Sequence, residues 1–500
     1  MQPYILGVDI GTGSAKSIAV NYEGEVFSVE QFHYPVNHPQ HGYSEQDPQL
    51  ISQAFINCIQ TQVQKLQRSP NAVCLSSAMH SVIPVDENGN ALANMMTWAD
   101  GRSADIANRI KKTSTGEEIY RNTGTPLHAM SPLCKIIWLR ENNKDLFDKT
   151  HKFISIKEFI WYKLFNEFKV DFSIASATGL FNILTNTWDK PALQLAGISE
   201  DKLSATVSPG YTCNNCNRAI STLLHLSPGV SFIIGASDGC LANLGSFAIN
   251  ETQAAVTIGT SGAVRVTGKK PIYNYKAMTF NYKLDENTFV SGGPVNNGGN
   301  VLQWFLKSFL DKQTISAEDY AQFFSAVNGV KTGAVGLIFL PYIFGERAPH
   351  WDTKSCGTFF GIKDYHSKPH FSRAVIEGIC YALNDVLQTL DENEQPIIQL
   401  HVSGGFVTSR TWMQILADVT GKRISIIHTN DASAIGAAYF GLKTLGLAED
   451  YNQLFAGKNT ELIEPCLTDH VTYKNYFAIY KGLYQSLKES MHQLHNLNHQ

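Results

Sequence analysis

Two short segments decide the fold of this chain. VDIGTGSAKSIAV (Val8–Val20) predicts a buried strand, a glycine-rich turn and a second apolar strand, and VTIGTSGAVRV (Val256–Val266) predicts the same arrangement again. The shared Ile-Gly-Thr recurs 248 residues later in a chain of 500, whereas repeats of about 20–50 residues would indicate a solenoid. One recurrence at half the chain length indicates two related domains, 1–247 and 248–500. The alternative, on these segments alone, is that two glycine-rich hairpins arose by chance.

Strand-like and helical stretches alternate in both halves. Apolar runs bounded by turn residues predict strands at Ala72–Met79, Val82–Leu92, Met278–Leu284 and Thr288–Pro294. Helices are predicted at Pro48–Gln67, Pro132–Asn142, Asn297–Phe309 and Phe371–Leu390, and the 3–4 spacing of apolar residues predicts an amphipathic C-terminal helix over Tyr476–Leu494. Strands mixed with helices indicate an α/β architecture.

Composition excludes several classes of function. The chain has 40 basic and 44 acidic residues, a net charge of −4, and no basic excess of the kind that nucleic-acid binding needs. No apolar run approaches the ~20 residues of a membrane span, and the N-terminus lacks the features of a signal peptide. Nine dispersed cysteines suggest reduced thiols in a cytoplasm. We therefore expect a cytoplasmic protein without nucleic-acid or membrane partners. The sequence does not decide whether it forms a homodimer.

The first glycine-rich turn has the composition of an anion-binding loop. Gly11 and Gly13 would let the backbone approach a ligand closely and adopt positive φ, while Thr12 adds a hydroxyl group and Lys16 a positive charge. Successive N–H groups in such a turn form a concavity for anions. The segment is not a Walker P-loop, because Ala15 stands before Lys16. Taken alone, the turn could equally be an ordinary hairpin.

The second turn strengthens the phosphate hypothesis. Gly259-Thr260-Ser261-Gly262 has the same character, so two turns facing each other across a cleft could hold one polyphosphate. Asp9 ends the strand before the first turn, where a carboxylate could hold Mg²⁺ through water. Further on, VSGGFVTSRTWMQILAD (Val402–Asp418) predicts a strand, a Gly-Gly turn and a helix.

These segments share their order with one family. DIGTGSAKS, WADGRS, GASDG, TIGTSG, FLPYIFGERAPHWD, GGFVTSRTWMQILAD and ASAIGAA resemble, in sequence, the FGGY family of carbohydrate kinases from about Ile5 to Gly446. The resemblance implies two actin-like (ribonuclease H-like) domains with an interdomain catalytic cleft. It also implies transfer of the γ-phosphoryl group of ATP to a sugar hydroxyl with Mg²⁺.

The resemblance also implies roles for individual residues. Asp238 of GASDG matches the catalytic base, which would orient the sugar hydroxyl and accept its proton. Asp9 matches a magnesium-linked position. Many members carry a second hydroxyl residue at the position of Gly13, so one phosphate contact is expected to be missing there. The implied nucleotide-binding residues are Gly11, Thr12, Gly13, Lys16, Gly259, Thr260, Gly299, Gln303, Gly404, Gly405 and Ser409.

The sugar-binding region resembles that of the gluconate-phosphorylating members. SSAMHSVIPVDENG, TWADGRS and YRNTGTPLHAMSPLCKIIWL carry this similarity, whereas xylulokinase relatives usually have Gly and Asn at the positions of Ser81 and Ala99. The implied substrate-binding residues are Met79, His80, Trp98, Asp100, Arg102 and Asp238. We therefore expect ATP-dependent phosphorylation of D-gluconate to 6-phosphogluconate.

The carboxylate of gluconate needs a cationic partner, and xylulose has no such group. Arg102, Arg347, His128 and Lys135 are the candidates, and the sequence does not choose among them. Within the enzyme class, the alternative is a xylulokinase or another pentulose kinase. From a different class, the alternative is an actin- or Hsp70-like ATPase, which would keep both phosphate turns but does not need Met79-His80 or Trp98.

Overall fold

The fold is built on two mixed β-sheets, one in each half of the chain. The computed structural model describes residues 3–391, 396–428, 431–455 and 460–498. The strands of the first half are β1 (Tyr4–Ile10), β2 (Ser14–Asn21), β3 (Val26–His33), β4 (Glu45–Gln46), β5 (Ala72–Ser77), β6 (Ile83–Val85), β7 (Met95–Met96), β8 (Lys152–Ile154), β9 (Lys169–Asp171), β10 (Phe181–Asn182), β11 (Thr187–Trp188), β12 (Ala205–Val207), β13 (Thr212–Cys213) and β14 (Ser231–Ser237).

The helices of the first half cover its sheet and build a lobe beside it. They are α1 (Pro48–Leu66), α2 (Ala104–Ile110), α3 (Ser114–Thr123), α4 (Pro132–Asn142), α5 (Lys144–Lys149), α6 (Ile156–Phe165), α7 (Phe172–Ser176), α8 (Lys190–Ala196), α9 (Arg218–Leu223) and α10 (Asp238–Gly245). Helix α1 begins where Asp47 accepts a hydrogen bond from the N–H of Gln49 and Pro48 occupies the first turn.

The second half contains the larger sheet. Its strands are β15 (Gln253–Ile258), β16 (Gly262–Gly268), β17 (Phe280–Lys283), β18 (Phe289–Val295), β19 (Ile338–Leu340), β20 (Thr358–Phe360), β21 (Gln399–Ser403), β22 (Arg423–Ile426) and β23 (Glu461–Ile463). Its helices are α11 (Gly299–Trp304), α12 (Ala317–Asn328), α13 (Lys368–Leu390), α14 (Arg410–Thr420), α15 (Ala432–Thr444), α16 (Tyr451–Phe455) and α17 (Leu467–Asn498).

The two sheets repeat one topology. The first has the order β13-β14-β5-β1-β2-β3 and the second the order β17-β18-β16-β15-β21-β22-β23. In the first, β1, β2 and β3 form an antiparallel meander, and β5 and β14 add in parallel beside β1. In the second, β15, β16 and β18 form the meander, and β21 and β22 add in parallel. The predicted α/β fold with an internal duplication is confirmed.

The two halves meet where helices α10 and α15 cross. A Cβ atom on Gly436 would lie 1.9 Å from the carbonyl oxygen of Leu241, and one on Gly245 would lie 2.0 Å from that of Ala432. Gly7 of β1 is equally close to the backbone of Ala434. Only glycine permits such approach. Helix α15, although late in the sequence, therefore packs on the first sheet and against helix α10.

Most predicted elements are confirmed, with two differences. Val82–Leu92 forms only the short strand β6, followed by a turn in which Asp86 accepts from the N–H groups of Asn88 and Asn90. Asn297–Phe309 is a short α11 followed by a π-helical turn. The C-terminal helix α17 buries Tyr473, Tyr480 and Tyr484 in the core of the second half. No helix among the described residues is long and apolar enough to cross a membrane.

Candidate active site

A cleft of about 350 Å³ opens between the two halves of the chain. Its lining includes seven of the predicted catalytic, nucleotide-binding and substrate-binding residues: Thr12, Met79, His80, Trp98, Asp238, Gly259 and Thr260. Thr12 follows β1 and Thr260 follows β15, the equivalent strands of the duplicated sheets. The two glycine-rich turns therefore face one common space, as their pairing predicted.

The first turn is held by hydrogen bonds on both sides. The N–H of Gly11 donates to the carbonyl of Ser14 (3.0 Å), and the indole N–H of Trp98 donates to Oγ1 of Thr12 (2.9 Å). Neither Gly11 nor Gly13 has positive φ, contrary to the prediction, and a Cβ on Gly13 would meet no neighbour within 4 Å. Lys16 forms an ion pair with Asp431, which precedes α15. The conformation of the turn is thus fixed by its hydrogen bonds and does not depend on a positive φ at either glycine.

The second turn is flanked by two more predicted nucleotide positions. The N–H of Gly299 donates to the carbonyl of Gly259 (2.8 Å), at the start of α11. Gly404 has a φ of 115°, and a Cβ there would lie 2.1 Å from the carbonyl oxygen of Ile258. Gly404 therefore has to be glycine for β21 to end against the second turn.

The remaining nucleotide positions lie outside the cleft lining. Gln303 and Gly405 are exposed. Ser409 caps α14 by accepting a hydrogen bond from the N–H of Trp412 (3.3 Å). These three residues belong to the second half and are not among the residues that line the cleft.

Asp238 stands at the first position of α10, where the helix dipole favours a negative charge. Its Oδ1 accepts a hydrogen bond from the N–H of Gly239 (2.7 Å). Burial and the nearby carboxylate of Asp9 raise the pKa of Asp238 to about 7, and the positive charge of Arg265 opposes that rise. A carboxyl group with a pKa near 7 is matched to accept a proton at neutral pH.

Asp9 lies near the end of β1, the strand that precedes the first turn. Its Oδ1 accepts a hydrogen bond from the hydroxyl of Ser76 (2.6 Å). Burial raises the pKa of Asp9, the Ser76 hydrogen bond and the charge of Lys16 lower it, and the charge of Asp431 raises it further. A buried carboxylate of this kind gains from a nearby cation.

The described residues hold no cluster of three or more His, Cys, Asp or Glu side chains that could bind a metal by themselves. Mg²⁺ in phosphoryl-transfer sites is usually bound by one or two carboxylates plus substrate phosphates and water. Asp9, close enough to Asp238 to raise its pKa, fits that simpler pattern.

His80 is fixed in one tautomer at the cleft wall. Its Nδ1 lies 2.7 Å from the carbonyl oxygen of Ala177, so Nδ1 carries the proton, and Nε2 accepts from the hydroxyl of Tyr282 (3.3 Å). Burial, with the charge of Lys135, lowers the pKa of His80 to about 3, so the ring is neutral. His80 also has a φ of 65°, an uncommon conformation for a residue with a side chain.

Lys135 is fully buried behind this wall. Its Nζ donates to the carbonyl oxygens of His80 and Thr97, each at 2.6 Å. These carbonyls belong to the two segments that carry Met79 and Trp98 into the cleft. Lys135 does not line the cleft, and it connects the two segments that carry Met79 and Trp98.

Asp100 and Arg102 also lie outside the cleft lining, although both were predicted to contact the substrate. The guanidinium of Arg102 donates to both oxygens of Asp100 (2.8 and 2.7 Å) and to Glu45 (2.5 Å). It also stacks over the ring of Tyr43 at 3.7 Å. The prediction took the Trp-x-Asp segment as one binding unit, but only Trp98 faces the cleft.

Arg347 does line the cleft. Its Nε donates to Oδ1 of Asn296 (2.7 Å), its Nη2 donates to the carbonyl of Val295 (3.1 Å), and its guanidinium lies 5.4 Å from the ring centre of Trp98. His128 lies outside the lining, and burial with the charge of Arg347 lowers its pKa to about 3. Of the four cationic candidates, only Arg347 borders the cleft.

Sequence analysis missed several cleft residues from the second half, above all Arg265 and Tyr282. Arg265 is the one charged residue of β16 (GAVRVTG), and an isolated charge in an apolar strand was the available signal. Tyr282 on β17 carried no signal, because the fold alone places this strand opposite His80.

The comparison with known families decides what this cleft belongs to. The FGGY family of carbohydrate kinases matches with its N-terminal domain over residues 4–245 and with its C-terminal domain over residues 254–445. The chain belongs to the FGGY family. It is therefore a carbohydrate kinase, and the alternative of an actin- or Hsp70-like ATPase machine is wrong.

The individual relatives include kinases of two substrates, gluconate and xylulose. A gluconokinase from Bacillus licheniformis is 40% identical over 90% of each chain. A solved gluconate kinase from Lactobacillus acidophilus superposes with a TM-score of 0.94 at 31% identity, over 99% of this chain and 100% of that one. A ligand-bound xylulose kinase from Lactobacillus acidophilus gives the same TM-score and identity, over 98% and 100%. The fold alone therefore does not separate the two substrates.

Proposed function

We propose that this FGGY kinase transfers the γ-phosphoryl group of ATP to D-gluconate, giving 6-phosphogluconate and ADP. The similarity to a gluconokinase at 40% identity supports this proposal. The cleft supports it as well, because it combines a carboxyl group suited to proton acceptance with a cationic group suited to a sugar acid. We also propose that residues 1–247 supply most of the sugar contacts, the first phosphate turn and Asp238, and that residues 248–500 supply most of the nucleotide contacts.

In this proposal Asp238 orients the acceptor hydroxyl and takes its proton as the oxygen attacks the γ-phosphorus. The bond from that phosphorus to the bridging oxygen of ADP breaks, and ADP leaves. The turns at Gly11–Gly13 and Gly259–Thr260 hold the phosphates from opposite sides, through the two threonine hydroxyls and through backbone N–H groups other than those of Gly11 and Gly259, which donate within their own turns. Gly299, Gly404, Gly405, Gln303 and Ser409 are proposed to border the rest of the nucleotide, and Lys16 to add positive charge near the phosphates.

Asp9 is the residue proposed to hold Mg²⁺ with the nucleotide phosphates. When bound, the metal ion neutralises charge on the phosphate oxygens. Asp9 itself contributes a carboxylate oxygen that Ser76 orients by its hydrogen bond.

The observation that carries gluconate is the 40% identity to a gluconokinase over 90% of each chain, and Arg347, the one of the four cationic candidates that lines the cleft, offers a partner for the carboxylate. The reacting C6 hydroxyl and the C1 carboxylate of gluconate lie at opposite ends of the molecule, with the carbons C1 and C6 about 6 Å apart when extended, given five carbon–carbon bonds of about 1.5 Å. Arg265 opposes the rise in the pKa of Asp238, and it also lies near enough to Arg347 to lower the pKa of that residue, so both guanidinium groups share the cleft. Arg347, stacked beside Trp98, offers a guanidinium to the carboxylate.

A panel of acceptors in an ADP-coupled assay tests this function. We expect efficient phosphorylation of gluconate and slow reaction with D-xylulose, followed by identification of 6-phosphogluconate as the product. Efficient phosphorylation of xylulose with gluconate inert would instead establish the pentulose kinase alternative.

We further propose that the enzyme works in the cytoplasm. All nine cysteines are free, and five of them are buried where oxidation would disturb packing. Free, buried thiols are typical of a reducing compartment.

A further inference from the structure

A second, larger cavity lies outside the cleft, at the seam between the halves. Its volume is about 680 Å³. One wall is the end of α2 and the residues after it, a second is the loop before β17, a third is the stretch that follows Arg347, and the last is helix α17. Both halves of the chain and the C-terminal helix thus contribute to one space.

The charge around this cavity is strongly one-sided. Five lysines line it: Lys111, Lys112, Lys276, Lys354 and Lys488. Asp352 is the one carboxylate in the lining. Its Oδ2 already accepts hydrogen bonds from the hydroxyl of Tyr484 and from Nε2 of His492, each at 2.8 Å. Since the whole chain carries a net charge of −4, this excess of positive charge is local.

Lys111 shows the imbalance most clearly. It is half-buried, and burial together with the charge of Lys488 lowers its pKa. Among the described residues, Lys111, Lys112, Lys276 and Lys488 take part in no salt bridge. Lys111 and Lys354 are half-buried and the other three lysines are exposed, and like charges gathered around one concave space favour an anion there.

We propose that this cavity is a second ligand site that binds a phosphorylated sugar acid. A phosphate dianion satisfies two or three ammonium groups, and a carboxylate at the other end of the molecule satisfies the remaining ones. The volume is ample for a six-carbon chain with a phosphate. A neutral sugar would leave the lysines uncompensated.

The site lies where occupancy could influence catalysis without blocking the cleft. The hydroxyl of Tyr275, from the second half, donates to the carbonyl of Lys111 in the first half (2.9 Å). Trp351 lines the cavity four residues after Arg347, which lines the cleft. A ligand held by both halves therefore favours one relative arrangement of them.

Calorimetric titration of the intact enzyme with 6-phosphogluconate tests the proposal. We expect two sites in the wild type, one in the cleft and one in the second cavity. The triple variant Lys111→Gln, Lys276→Gln, Lys488→Gln should bind 6-phosphogluconate in the cleft as the wild type does. Its affinity for 6-phosphogluconate at the second cavity should fall by at least about 30-fold, since hydrogen bonds to charged groups each contribute a factor of about ten or more. A triple variant at exposed lysines elsewhere, Lys190→Gln, Lys331→Gln, Lys368→Gln, has the same charge change and should keep both sites.

Two further measurements keep the test decisive. A crystal soaked with 6-phosphogluconate should show its phosphate beside Lys111, and density in the cleft alone would overturn the proposal. If the triple variant does not fold, Lys488→Gln on the exposed face of α17 replaces it, with a weaker second site expected. Inorganic phosphate binding as tightly as 6-phosphogluconate would refute a sugar-acid ligand, and equal affinities in wild type and variants would refute the site.

Discussion

Replacing Arg347 by methionine separates recognition of a carboxylate from recognition of a polyol. The variant keeps the length and apolar stem of the side chain but removes the guanidinium that faces the cleft beside Trp98. A charge-assisted hydrogen bond contributes about 1.5–3 kcal/mol, which corresponds to roughly 10–150-fold. We expect kcat/KM for gluconate to fall by about that factor in an ADP-coupled assay. The slow reaction with D-sorbitol, which has a hydroxymethyl group in place of the carboxylate, should be unchanged.

Two controls make this result interpretable. Arg347 also donates to Asn296 and to the carbonyl of Val295, so its loss could disturb the cleft wall generally. Such a disturbance would slow both substrates equally, and that outcome would refute the assignment to the carboxylate. Arg347→Lys keeps the charge without the planar fork and should recover part of the gluconate activity. The test is independent of whether gluconate is the best substrate, because that is established with the wild type.

Three further predictions concern other parts of the cleft. Because the ionised form of Asp238 is the active one and burial raises its pKa to about 7, kcat/KM should fall about tenfold per pH unit below 7, and a flat profile from pH 5 to 8 would contradict the assignment. Thr260→Ala should raise KM for ATP several-fold without changing the gluconate affinity measured by calorimetry. A parallel loss of affinity for ATP and for gluconate would contradict this assignment. Lys135→Met leaves two buried carbonyl oxygens without their hydrogen-bond donor. KM for gluconate should therefore rise more than KM for ATP, and the free energy of unfolding, measured by thermal unfolding, should fall by about 1–3 kcal/mol. Equal changes in both KM values would indicate a general packing defect.

The parts of this structure that follow from local patterns were predictable from the sequence. The hairpins at Val8–Val20 and Val256–Val266 are stretches in which apolar strands and small turn residues occur together, so their form is encoded locally. Their recurrence gave the duplication, and the structure places both turns on one cleft. Helix α4 was predicted with its observed bounds, because Ser131 and Pro132 mark its start.

The placements that the sequence did not predict depend on contacts between distant segments. Nothing near Asp100 and Arg102 shows that Tyr43, Ser44 and Glu45 come to cover them and turn them away from the cleft. Arg265 reaches Asp238 only because the two sheets face each other. Motif matching finds residues that occur together in sequence, whereas the direction of each side chain is decided by the tertiary packing around it.

The most direct test of the account is the turnover of Asp238→Asn with gluconate and ATP. Asparagine keeps the shape of the side chain and can still orient a hydroxyl, but it cannot accept the proton. We predict that kcat falls by about 10²–10⁴-fold while the affinity for ATP stays close to that of the wild type. Near-normal kcat in a correctly folded variant would contradict the assignment of Asp238 and, with it, the proposed use of the cleft.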